Sequence, residues 1–134
     1  RSSDLKVFIV DRDPRDIFVL EKYVWQDGVI PNNVEDFCKW FEYTRAHRKT
    51  EQFDDERVCF IQFEDMVYKY DDTTKKIANW LGLELKAQTK KGQYFDPSRS
   101  VRNTCTWKKV KCDPAEIEYI ENKLGEYLYN FPKK

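Results

Sequence analysis

The chain has 134 residues, and its 24 Lys and Arg balance 24 Asp and Glu, so a formal net charge of zero points to no class of charged partner. A length of this order suits one globular domain over residues 1–134, and 40% apolar with 16% aromatic residues supply a core. No purely apolar run exceeds the four residues of Val7 to Val10, far below the roughly 20 that cross a bilayer, which excludes a helical membrane span and predicts a soluble protein.

In chain order, Lys6–Asp11 concentrates Val, Phe and Ile as expected of a strand buried on both faces of a parallel sheet. Asp13 offers an N-cap oxygen, Pro14 suits the first helical position and Asp16 places an acid in the first turn, predicting a helix from Pro14 to about Gln26 that stops at Asp27-Gly28. Asn33 with Asp36 repeats the capping pattern, and Val34, Phe37, Cys38 and Phe41 recur at helical spacing, predicting a second helix to about Arg48. Arg57–Phe63 reads as another buried strand. Asp72 is the expected cap of a helix with Ile77, Ala78 and Leu81 on one face and Gly82 at its end. Leu85–Cys112 keeps no period and reads as a long loop, ordered by Tyr94, Phe95 and Trp107. Asp113, Pro114 and Glu116 open a last helix with Ile117, Ile120, Leu124 and Leu128 in one stripe.

Charge is uneven along the chain. Between Lys86 and Cys112 stand eight Lys and Arg against the single acid Asp96, a surplus that attracts anions. The four cysteines form no CxxC pair and His47 is the only histidine, which argues against a zinc site. Cys38 and Cys59 lie in apolar stretches, and with no Asn-x-Ser/Thr sequon and no signal peptide at Arg1 to Asp4 the expected compartment is the cytoplasm. A bridge between Cys105 and Cys112 would be compatible with an oxidising compartment. His47 stands among Arg45, Arg48 and Lys49 and reads as a solvated helix end rather than a general base. Trp25, Trp40 and Trp80 read as core or partly buried helix residues.

The junction Asp11 to Asp16 is the strongest candidate site. A strand that ends in Arg12 and passes at once into a capped helix sets a guanidinium beside backbone N–H groups, a combination suited to a phosphate dianion at the carboxyl end of a strand. The plainer reading is that Arg12 pairs with Asp13, Asp16 or Glu64 and fixes local structure.

Three segments resemble the sulfotransferases that use 3'-phosphoadenosine 5'-phosphosulfate (PAPS). VFIVDRDPRDIF resembles the family's strand and helix that read the donor's 3'-phosphate, with Arg-Asp/Asn-Pro-Arg/Lys-Asp at the junction. FIQFEDMVYKYDDTTKKIANWLGLE is similar to its strand ending in Tyr/Phe-Glu-Asp-Leu, followed by a helix and a Leu-Gly stop. Ser98 to Lys108, ending in Trp107-Lys108, resembles the loop that closes over the same phosphate. The three occur in family order and span nearly the whole chain.

The resemblance implies a three-layer α/β fold of the P-loop nucleotide-hydrolase type, of which this chain is the C-terminal portion. It implies that Arg12 binds the 3'-phosphate, that Phe63 occupies the adenine-contact position, and that Arg99 or Arg102 reaches the phosphate from the loop. PAPS is then the co-substrate and 3',5'-bisphosphoadenosine (PAP) the product, with a small-molecule or carbohydrate hydroxyl or amine as acceptor and no nucleic acid or metal involved. Leu20 stands where the family has a serine, and the loop lacks the family's consecutive Arg-Lys-Gly. The four glycines are scattered singly and form no phosphate loop. The 5'-phosphosulfate loop, its lysine and the catalytic base are therefore expected from a preceding, N-terminal part of the domain. The contrasting reading is an inactive sulfotransferase-like module that binds a nucleotide, or docks a protein or polyanion through its basic segment.

Overall fold

The computed structural model describes residues 6–46, 58–82 and 96–132, and these form two compact units. Within them secondary structure mixes helices with one pair of parallel strands. His47, Arg57, Tyr94 and Phe95 lie outside the described residues.

The first unit comprises residues 6–11, 58–82, 96–102 and 131–132. Its strands β1 (Val7–Asp11) and β2 (Val58–Gln62) pair in parallel, with Val7 opposite Val58 and Asp11 opposite Gln62. Helix α3 (Phe63–Tyr68) follows β2 without a break and leads through Lys69 into α4 (Tyr70–Leu81). Glu64 and Asp65 thus lie in the first turn of α3, where acids favour the positive end of the helix dipole.

Helix α4 begins two residues earlier than its expected cap, so Asp72 sits inside the first turn rather than before it. The reason is local: the Thr73 hydroxyl donates to the Asp65 carbonyl at 3.1 Å and the Thr73 N–H to the Lys69 carbonyl at 2.9 Å, which winds the turn up to α3. Gly82 ends α4 at φ +72, the left-handed conformation that glycine adopts without a Cβ clash. The Lys76 ammonium donates to the Phe60 carbonyl at 3.0 Å, and the Phe8 and Trp80 rings meet edge to face at 4.9 Å, so α4 lies along the sheet.

Burial of the sheet departs from expectation. Cys59 and Ile61 are buried, but Val7, Phe8 and Val10 are 41%, 43% and 58% exposed and Phe60 is 39% exposed. Full burial of parallel strands needs neighbouring strands and helices on both faces, and among the described residues the sheet has two strands. An apolar groove of about 480 Å³ lies in this unit, lined by Phe8, Val10, Ile61, Phe63, Ile77 and Leu81 among others.

The second unit comprises residues 12–46 and 103–130. Helix α1 (Pro14–Val19) is capped by Asp13, whose Oδ1 accepts the Arg15 N–H at 2.9 Å. From Leu20 to Trp25 the helix continues in π form, closed by the Gln26 N–H donating to the Glu21 carbonyl at 2.8 Å. Gln26 takes the left-handed conformation (φ +54), and the Gly28 N–H (φ +75) donates to the Glu21 carboxylate at 2.7 Å. The helix therefore stops just ahead of Asp27-Gly28, and Trp25, at the end of the π segment, is 50% exposed.

Helix α2 (Val34–Ala46) is capped by Asn33, whose Oδ1 accepts the Glu35 and Asp36 N–H groups at 3.0 and 3.2 Å. Helix α6 (Pro114–Lys123) repeats the Asp-Pro start, with Asp113 accepting the Ala115 N–H at 3.0 Å. The three helices enclose Phe18, Val19, Phe37, Cys38, Phe41, Ile117, Ile120 and Leu124. Burial pushes the Cys38 thiol up to about 11, so it stays protonated and packs as a small apolar group.

The described part of the expected loop, 96–112, is ordered by short turns rather than by one extended run. They are α5 (Pro97–Ser100) and 3-10 turns over Val101–Asn103 and Thr106–Lys108. All four cysteines are free thiols, and Cys112 donates to the Trp107 carbonyl at 3.4 Å. Among the described residues no helix is long and apolar enough to cross a membrane, and no three His, Cys, Asp or Glu gather as metal ligands.

Candidate functional site

The site is built on the start of α1, and its acids and arginines divide into separate pairs. Arg15 turns back onto the cap: its Nε and Nη2 donate to the two Asp13 oxygens at 2.9 and 2.8 Å, and its Nη1 to Glu121 at 3.1 Å. The guanidinium carbon lies 3.9 Å from the Trp107 ring centre, so a planar cation is stacked on an aromatic face and held by two carboxylates. Burial draws the Arg15 pKa down, but the Asp13 hydrogen bond and the charges of Asp13 and Glu121 outweigh it and the net direction is up. Asp13, fully buried, also accepts the Tyr129 N–H at 2.9 Å.

Asp16 is likewise fully buried. Its Oδ2 accepts the Cys105 N–H at 3.1 Å, and its Oδ1 accepts the N–H and hydroxyl of Thr106 at 2.6 and 2.5 Å. Burial raises its pKa, against the lowering effect of the Thr106 bonds and of the Arg12 charge.

The Asp13 carboxylate is engaged by Arg15; Arg12 reaches a backbone acceptor. Its Nη2 donates to the Asn103 carbonyl at 2.5 Å, and the side chain is half-buried. The sequence pattern suggested that backbone N–H groups at the helix start would share the anion. They are instead consumed: Pro14 has none, Asp13's carboxylate takes that of Arg15, and Asp13's carbonyl takes those of Asp16 and Ile17 at 3.1 and 3.2 Å.

The other three candidates belong to the first unit. Phe63 opens α3, half-buried, with its ring on the apolar groove. Arg99 lies on α5, which packs against α3. It is exposed, with its Nε 3.7 Å from the Asp96 carboxylate. Arg102 is exposed and its Nε donates to the Arg99 carbonyl at 3.1 Å. Leu20, in the serine position, is the first residue of the π segment.

Asp16, Thr106 and Trp107 carry more of this architecture than their spacing indicated. The sequence signals were an acid in the first turn for Asp16, an aromatic in the loop for Trp107, and the place of both in the resemblance; Thr106 had none.

The described residues combine helices with two parallel strands, and Arg12 stands in sequence between β1 and the capped helix α1. The family model of the sulfotransferase domain matches residues 1–126, and the chain belongs to the sulfotransferase family. It is 32% identical over 98 residues to Sulfotransferase 2A1 of Rattus norvegicus, a stretch covering 63% of this chain and 34% of that protein. The chain therefore matches about a third of the length of this curated relative. No solved structure is significantly similar to it.

Proposed function

We propose that the chain supplies the 3'-phosphate side of the donor site of a PAPS-dependent sulfotransferase, within a three-layer fold of the P-loop type. The observation that carries this reading is Arg12. It heads a capped helix in a chain of the sulfotransferase family, and its side chain is directed by the Asn103 carbonyl while the neighbouring acids are engaged by other partners. A guanidinium held in one direction suits the forked geometry of a phosphate oxygen pair.

PAPS, when bound, provides the sulfuryl group, and an acceptor hydroxyl or amine receives it. Arg12 holds the 3'-phosphate, Phe63 offers a ring to adenine, and Arg99 and Arg102 add positive charge near the nucleotide. Stabilising the departing 5'-phosphate requires a further cation, and none of these residues is assigned that task. The remainder of the domain, acting in the cytoplasm, completes the active site.

Arg12→Ala is expected to weaken PAP binding by about 1.5–3 kcal/mol, the range for a hydrogen bond to a charged group. Isothermal titration of the full-length protein and its variant measures this. Unchanged affinity in a folded variant would remove Arg12 from the site.

A further inference from the structure

We infer that Asp16 is a positioning residue for this anion site, acting through the segment Asn103–Thr106 to direct Arg12; the inference rests on the donor-site reading above. Among the described residues, Cys105 is one of two non-glycine residues in the left-handed region, at φ +53, a conformation that a side chain with a Cβ adopts only when its surroundings hold it there. The kink turns the N–H groups of Cys105 and Thr106 toward a common point, the arrangement in which successive backbone amides bind an anion. Asp16 occupies that point: its two oxygens take both N–H groups and the Thr106 hydroxyl, and the carboxylate is fully buried.

The consequence reaches Arg12 along the backbone. Asn103 lies two residues before Cys105, and its carbonyl is the acceptor that sets the direction of the Arg12 guanidinium. The far side of the segment is fastened as well, because Lys109 donates to the Thr104 carbonyl at 3.0 Å and Trp107 lies under Arg15. An internal carboxylate thus occupies the amide nest, and its hold on the segment fixes the carbonyl to which Arg12 donates.

The test is a double-mutant cycle on PAP affinity, with melting temperature recorded alongside. Asp16→Asn is expected to weaken PAP binding about tenfold in the wild-type background and to add nothing once Arg12→Ala is present, the mark of groups that share one network. A purely structural role would lower the melting temperature while leaving affinity unchanged in the folded protein, or would weaken binding equally in both backgrounds. Either result overturns the inference. Should Asp16→Asn fail to fold, Thr106→Val, which keeps the carboxylate and removes one donor, enters the same cycle with the same outcomes.

If the wild-type protein binds no PAP, the donor-site reading fails. Positioning is then judged by the Arg12 Nε–H resonance in Thr106→Val: a shift retains Asp16's control of Arg12, and an unmoved resonance refutes it.

Discussion

Arg15→Ala is expected to destabilise the protein by about 3–5 kcal/mol, the cost of removing one partner from a buried ion pair. The side chain is 10% exposed and Asp13 is fully buried. Truncation would take the paired guanidinium from the Asp13 carboxylate, which keeps the backbone donors of residues 15 and 129, and would uncover the face of Trp107. Arg15→Met separates the two contributions, since it keeps packing on the indole and loses the charge. Urea denaturation gives the change in midpoint. A loss below about 1 kcal/mol for Arg15→Ala, as for an exposed pair, would show that Asp13 finds solvent or another cation.

Phe37→Ala is expected to cost a similar amount, about 3–5 kcal/mol, for a different reason. The ring has no exposed surface and lies 5.1 Å from Phe18, 5.8 Å from Trp40 and 5.9 Å from Phe41. Its deletion leaves a cavity lined by rings whose backbones belong to α1 and α2, and helices capped at Asp13 and Asn33 have little freedom to close it. Tyr43, on α2 but 65% exposed, is the control and should change stability by under about 0.5 kcal/mol on truncation. Equal losses at the two positions would contradict the assignment of the core.

Much of the fold could be read from sequence where the signal was local. Asp13-Pro14, Asn33 and Asp113-Pro114 are caps because each oxygen meets N–H groups two or three residues on, and Gly82 ends α4 because no side chain hinders its positive φ. The π segment was not legible: it depends on Glu21, whose carbonyl accepts from Gln26 and whose carboxylate accepts from Gly28, and helix propensity carries no trace of that choice. Exposure of β1 was also missed, since an apolar run declares the need for a cover but not which segment provides it.

The candidate site divides along the same line. Arg12 stood out because a strand-to-helix junction is a local pattern. The roles read for Asp13 and Asp16, a cap and a dipole partner, were also local and account for only part of what they do. Asp16 meets Thr106, Asp13 meets Tyr129 and Arg15 meets Glu121, partners 90, 116 and 106 residues away. Spacing within one sequence contains no term for such pairs, so it showed the carboxylates beside Arg12 but not the distant groups that they hold.

A chain that reads a 3'-phosphate distinguishes two nucleotides that differ in that group. Titrated into the full-length protein, PAP is expected to bind at least about tenfold more tightly than adenosine 5'-phosphate, since a charged hydrogen bond of about 1.5 kcal/mol or more is at stake. Equal affinity for the two nucleotides would contradict the claim.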